Sequence, residues 1–254
     1  MLLAIDIGNS SIKFGVFESS SLIDKFTIPT ARDYSVNELL FDRLQYIKDR
    51  FFAIDTIGIA SVVPEVEDTF RDALKELLRV TPTFIDHTFD FGITIKYDPP
   101  ESLGIDRLIN ASAAVLKHGS PLIICSFGTA TTIDAVNSGS EYLGGTISPG
   151  MRTFSEALYL NTSKLPLVRI EKPDSVIGQS TDGSIRSGVF YGSIGMAEGI
   201  IRRMFLEIGE GLKVKVISTG GFADLIAQNT DMIDIVDENL TLDGIRILIG
   251  RQTA

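Results

Sequence analysis

The sequence predicts an α/β protein made by duplication, each copy a mixed sheet covered by helices. Two observations carry that prediction. The chain opens on two apolar runs, 2–7 and 11–17, joined by Gly8, Asn9 and Ser10, with Asp6 near the end of the first run. A weaker copy lies downstream, where 122–125 and 131–136 flank Gly128 and Thr129, and Ser126 stands at the offset from Gly128 that Asp6 holds from Gly8. Two such hydroxyl-rich glycine turns suggest a duplicated domain that grips a phosphate from both sides.

The elements follow in order. After the opening hairpin, 20–28 reads as a third strand. Leu39, Leu40, Leu44 and Ile47 recur at helical spacing within 35–51. The apolar run 54–63 is a buried strand that stops at Pro64, which can open a helix over 65–78 because its missing N–H is no loss there. Phe84 and Ile85 lead to a short hairpin around 93–97, and Pro99 with Pro100 breaks regular structure. A helix over 105–117 runs into His118, Gly119, Ser120 and Pro121, a strong C-terminal stop. In the second half 122–125, 131–136, 142–147 and 214–218 read as strands; 151–158, 182–205 and 240–248 read as helices. The division falls in the stop sequence, giving a first domain over 1–118 and a second over 119–254.

Composition narrows the function. With 254 residues, 44% of them apolar, the chain suffices for one large domain or two of ordinary size. A formal net charge of -10 argues against nucleic-acid or anionic-membrane partners, which require positive charge. The single cysteine, Cys125, sits in an apolar run with no disulfide to make, and His87 and His118 are the only histidines. Asp6 interrupts the first apolar run too early for a signal peptide, and no apolar stretch nears the ~20 residues of a membrane helix. A cytoplasmic location is therefore expected.

Neither a G-x-x-x-x-G-K-[ST] loop nor a G-x-G-x-x-G loop after a strand is present. The turns at Gly8–Ser11 and Gly128–Thr132 are the candidate phosphate sites, with Asp6 suited to a magnesium ion. Asp, Gly and Asn also make good hairpin turns with no ligand at all. Asp106, beside Arg107 and opening a helix, is either a capping residue or a general base. Gly144 to Gly150 reads as a tight loop that lets a ligand or another backbone come close. Ser187, Gly188, Gly192 and Gly195 recur at helical spacing and suggest close packing of another element. Thr219, Gly220 and Gly221 are either an adenosine-side loop or an ordinary strand-to-helix turn.

Taken together, the ordered series Asp6–Ser10, Tyr97 with Gly104–Arg107, Gly128–Asp134 and Tyr142–Gly150, completed by Thr181 and Ser187-Gly188, resembles the type III pantothenate kinases. These belong to the acetate-kinase, sugar-kinase and actin superfamily and include relatives similar to the Bvg accessory factor. The resemblance covers nearly the whole chain. It implies duplicated actin-like, ribonuclease H-like domains and ATP-dependent phosphorylation of pantothenate to 4'-phosphopantothenate, the first step of coenzyme A synthesis.

Residue by residue, the resemblance implies that Asp6, Ile7, Gly8, Asn9, Ser10, Ser11, Ile12 and Lys13 form the ATP phosphate hairpin, with Asp6 near magnesium and Thr129 contacting ATP. Asp106 would accept the proton of the pantothenate hydroxyl. Tyr97, Gly104, Ile105, Asp106, Arg107 and Thr181 would bind that substrate. A homodimer with the pocket at the subunit interface and a monovalent cation, potassium or ammonium, are implied as well. One position departs. The family's cation-binding aspartate is Ser126 here, which supplies no charge and implies a weakened or lost cation site. The alternative function is a catalytically weak or inactive regulatory protein of the same fold. A sugar or acetate kinase fits less well, since those chains are generally longer.

Overall fold

The computed structural model describes residues 1–39, 44–51, 53–209 and 213–252. The chain forms two compact units, one of Met1–Gly92, Asp98–Ala113 and Leu240–Ala254, the other of Ile93–Tyr97 and Ala114–Asn239.

The first unit is built on strands β1 (Leu2–Ile7), β2 (Ser11–Glu18), β3 (Ser21–Pro29), β4 (Thr56–Ser61) and β5 (Thr83–Phe84), in the order β3-β2-β1-β4-β5. β1 pairs antiparallel with β2 and parallel with β4. Residues 3 to 7 of β1 are buried without alternation, the pattern of a strand covered on both faces. Leu3, Ile5 and Ile7 share one core with Phe14, Ile59, Phe70 and Leu74. Three of the helices are α1 (Val36–Glu38), α2 (Gln45–Arg50) and α3 (Glu67–Leu78). Where one helix was expected over 35–51, two separate segments stand, and Leu40 lies outside the described residues. Ser35 starts α1 with a capping box to Glu38. Pro64 opens a short 3₁₀ turn, Pro64–Val66, that leads into α3.

The helix α4 (Ile105–His118) passes from the first unit to the second, and Gly119 ends it with φ +78 and its N–H bonded to the Val115 carbonyl. In the second unit β6 (Thr94–Ile95), β7 (Leu122–Phe127), β8 (Ala130–Val136), β9 (Glu141–Pro149), β10 (Lys215–Thr219) and β11 (Ile235–Val236) lie in the order β11-β10-β7-β8-β9-β6. Without β6, this order repeats that of the first sheet strand for strand, with β7 in the place of β1. Residues 93–97 make no hairpin: Thr94 and Ile95 add to β9 as a parallel strand. The stretch expected as a glycine loop is, up to Pro149, β9 itself, and Gly145 admits backbone: a Cβ there would stand 2.2 Å from the Ile133 carbonyl oxygen. The helices α5 (Met151–Leu160), α6 (Thr181–Ile208) and α7 (Ala223–Ala227) bury a second core containing Cys125, Phe127, Val189, Phe190 and Ile194.

The C-terminal helix α8 (Leu240–Gln252) packs on β1, β2 and β4. A Cβ on Gly58 would stand 2.5 Å from Ile249 Cγ1, so glycine is what lets the helix lie on the sheet. A division of the sequence at 118/119 puts this helix in the second half; its packing puts it in the first unit.

Candidate active site

The opening hairpin is held from within. Asp6 and Lys13 face each other across β1 and β2 and form an ion pair, Nζ to Oδ2, of 3.3 Å. Asp6 is buried, 9% exposed, between the core residues Ile5 and Ile7 of β1. Ile7 and Ile12 are buried partners in register, so any part they play toward a ligand is through their backbone. Gly8, Asn9, Ser10 and Ser11 make the turn, closed by a bond from the Gly8 N–H to the Ser11 carbonyl. Thr30, which the sequence reading missed, ties the turn from β3's end: its Oγ1 donates to the Gly8 carbonyl (2.6 Å) and its N–H to the Ser10 carbonyl. A threonine just beyond a strand gave no signal of this.

In the same unit Gly104, Ile105, Asp106 and Arg107 open α4. The Gly104 carbonyl accepts from the N–H groups of Arg107 and Leu108. A Cβ on Gly104 would meet Asp106 Oδ1 at 2.7 Å, so the glycine leaves that carboxylate its place. Ile105 and Arg107 are buried while Asp106 is half-buried, a carboxylate at a helix N-terminus where the dipole favours the anion.

The second unit holds Tyr97, Ser126, Thr129 and Thr181. Tyr97 follows β6 and stacks edge-on against Tyr142, centroids 6.3 Å apart, with Gly144 at φ +119 beneath its ring. Tyr142 donates to Asp134 Oδ1 (2.6 Å) in the buried sheet. The 93–97 segment is held by a bond from the Lys96 N–H to the Tyr142 carbonyl and by a Lys96–Glu141 ion pair of 3.2 Å. Hydrogen bonds to Glu141 from Asn137, and then from Lys96, hold its carboxyl below the usual range.

Ser126 is half-buried in β7, in register with Thr132 on one side and Thr219 on the other, a row of three hydroxyl residues. The turn after it is clamped. The Gly128 N–H bonds the Ala130 carbonyl, and the Thr129 carbonyl accepts from the Gly150 N–H (3.0 Å) and Thr153 Oγ1 (2.6 Å). Thr129 itself is exposed. The Gly150 and Thr153 contacts were not foreseen, although Gly150 closed a glycine motif that signalled a close approach. Gly220, at φ +97, lies against the Phe127 backbone, which accounts for that glycine by packing, while a Cβ on Gly221 would meet nothing within 4 Å.

Thr181 begins α6, just after Ser180, which caps the helix by accepting from the Gly183 N–H. It borders a groove of about 470 Å³ shared with Phe154, Leu158 and Gly188. Among the described residues the packing expected at the small residues of α6 is made in part: a Cβ on Gly192 would stand 4.0 Å from the Phe154 ring of α5. Ser187 is buried, but a Cβ on Gly188 or Gly195 would meet nothing within 4 Å.

Residues 2–203 match the family model described as type III pantothenate kinase. The type III pantothenate kinase of Myxococcus xanthus strain DK1622 is 40% identical over 257 residues, covering 100% of both chains. That of Finegoldia magna is 41% identical over 252 residues, 98% of this chain and 96% of its own. Among solved structures, a conserved Campylobacter jejuni protein placed in the Baf family of transcriptional activators is similar with a TM-score of 0.62 at 22% identity, over 99% of this chain and 98% of its own. At that identity the likeness concerns the fold alone.

Proposed function

Because the chain belongs to the type III pantothenate kinase family, we propose that it transfers the γ-phosphoryl group of ATP to the hydroxyl of pantothenate, giving 4'-phosphopantothenate for coenzyme A synthesis. The observation that carries this reading is the match to such kinases from end to end at about 40% identity.

The roles follow from what each residue can do. In-line phosphoryl transfer asks the protein for position, charge neutralisation and a proton acceptor. Asp106, held at the N-terminus of α4, takes the hydroxyl proton as the oxygen bonds to the γ-phosphorus and the bridging oxygen leaves with ADP. Gly104, Ile105, Arg107, Tyr97 and Thr181 position the pantothenate. The hairpin Asp6–Lys13 receives the donor phosphates, with the Lys13 ammonium as the charge at hand, and Thr129 contacts the donor. A magnesium ion would neutralise phosphate charge beside Asp6, a single buried carboxylate; that fits an ion which keeps waters and takes most other ligands from phosphate. At Ser126 the hydroxyl row offers neutral oxygens only, so potassium or ammonium binds weakly or not at all.

The working form is a homodimer. Its support is the open face of α6 at Gly188 and Gly195, with Phe154, Tyr159 and Leu160 of α5 and Ile177 before α6 exposed in the same unit. A cytoplasmic place accords with this role; no helix among the described residues is long and apolar enough to cross a membrane.

The test is ADP release by purified protein with pantothenate, for the wild type and Asp106→Asn. The amide keeps the shape but loses the basic lone pair, so turnover should fall roughly 10²–10⁴-fold while ATP binding survives. Near-normal turnover would leave Asp106 a helix cap. No pantothenate-dependent ADP release from the wild type would point to a regulatory protein of this fold.

A further inference from the structure

Asp134 is a carboxylate 2% exposed within β8, and Tyr142 of β9 is fully buried. The register between these strands shifts once. Ala135 pairs with Gly144 and Val136 with Tyr142, which leaves Leu143 as the extra residue of a β-bulge. Side chains alternate along a strand, so without the bulge Tyr142 would stand on the face opposite Gly145 and its partner Asp134. With it Tyr142 and Asp134 share a face, and the phenol donates to Asp134 Oδ1 at 2.6 Å, a length usual for a hydroxyl on a carboxylate. Both glycines serve this arrangement. Gly144 takes φ +119, and a Cβ on Gly145 would stand 2.4 Å from Asp134 Oδ1. A buried carboxylate costs stability, and a core of apolar residues would do without it. What the pinned ring meets is Tyr97, edge-on with centroids 6.3 Å apart. Tyr97 follows a strand of only two residues, in a segment, Ile93–Tyr97, that belongs to the second unit while the residues on either side belong to the first. So short a strand is a weak hold on a side chain.

We infer that Asp134 and Tyr142 are positioning residues: the carboxylate fixes the Tyr142 hydroxyl, and the fixed ring sets the place and tilt of Tyr97, against which pantothenate binds. The inference rests on the kinase reading above, which gives Tyr97 to pantothenate. Aromatic pairs have a preferred edge-to-face geometry, so a ring held at its hydroxyl end orients its neighbour. A Tyr97 ring that is already placed loses no rotamer freedom when substrate arrives, which is how preorganisation raises affinity. The effect falls on pantothenate and not on the nucleotide.

The test is a double-mutant cycle on initial rates. Tyr142→Phe keeps the ring but loses the hydroxyl; it should raise the KM for pantothenate about tenfold and leave the KM for ATP within about twofold. In a Tyr97→Ala background the same substitution should change the pantothenate KM by less than about twofold, because the ring it acts through is gone. Asp134→Asn combined with Tyr142→Phe removes the bond without leaving a buried carboxylate short of its donor. This pair should match Tyr142→Phe alone, and it reads the effect if the single variant does not fold. An unchanged KM for pantothenate, a KM for ATP raised as much, or an equal effect of Tyr142→Phe with and without Tyr97 overturns the inference. A merely structural bond would lower Tm without that dependence on Tyr97. Calorimetric titration of pantothenate into the same proteins reads the cycle without turnover. If pantothenate binds but is not phosphorylated, and Tyr142→Phe weakens binding only where Tyr97 is present, the kinase reading fails and the positioning stands. Phosphorylation with an unmoved cycle keeps the kinase and removes the positioning, and no binding of pantothenate removes both.

Discussion

Gly150→Ala tests whether the clamped β7–β8 turn receives the donor. A Cβ on Gly150 would stand 2.0 Å from the Gly128 carbonyl oxygen and 2.7 Å from that of Thr129. Carbon contacts begin near 3.5 Å, so the two backbones must part by roughly 1 Å or more. Both obstacles are backbone, and no side-chain rotation relieves them. Parting also loosens the bond from the Gly150 N–H to the Thr129 carbonyl, now 3.0 Å. Overpacking costs about 1–3 kcal/mol and the hydrogen bond about 1 kcal/mol more. At about 2–4 °C per kcal/mol for a chain of this size, Tm should fall by roughly 4–16 °C. A turn displaced by about 1 Å should lower kcat/KM for ATP on the order of 10²-fold. Initial rates over an ATP series, beside a thermal melt, read both effects. Gly250→Ala is the control, because a Cβ there meets nothing within 4 Å and should leave the rate intact. A lowered Tm with unchanged kcat/KM for ATP would separate this turn from the donor. No change in either would refute the close approach itself.

Ser126→Asp restores a charge in the hydroxyl row, and a unit charge near a monovalent cation is worth on the order of several kcal/mol before desolvation. Rates in potassium against sodium chloride should then show greater potassium dependence, higher activity, or both. Strong potassium activation of the wild type, unaltered by the substitution, would mean that other groups hold the cation. Gly188→Trp places a large ring on the open face of α6 and should turn a dimer into a monomer by light scattering, with the Tm of the monomeric fold little changed; a wild type active as a monomer would sink the assembly. Cys125 is 0% exposed, and burial, with the nearby Asp134 charge second, pushes its thiol above the ordinary range. Alkylation should therefore proceed only as fast as the protein unfolds, and rapid labelling in native buffer would contradict this.

What could be read from the sequence was what neighbours along the chain decide. The Gly8 turn, the strand ending before Pro64 and the α4 stop at Gly119 each rest on local backbone chemistry, and all three stand in the structure. Asp6 with Lys13, and Asp106 beside Gly104, were legible because each group is gathered within one short segment. The tie from Thr30 and the clamp of Gly150 and Thr153 were not, since both depend on strand register. β6 was misread because two residues that pair with a distant strand carry no period of their own. The small residues of α6 pointed to close packing, but a helical spacing does not say whether the partner lies in the same chain. The allegiance of α8 was hidden for a related reason: Gly58 and Ile249 fit each other only in space.

That allegiance bears on how the protein is made. A ribosome has synthesised the whole second unit, which ends at Asn239, before α8 begins at Leu240. Domains ordinarily fold in the order they emerge, at about 5–20 residues per second. Here the part begun first is completed last. Until Ile245 and Ile249 arrive over Gly58, one face of the nascent β1–β4 sheet lacks its helix. A chain cut short by a premature stop near its end would lose the cover of its first strands while keeping the entire second unit, and its apolar opening sheet is where a chaperone or protease would engage it.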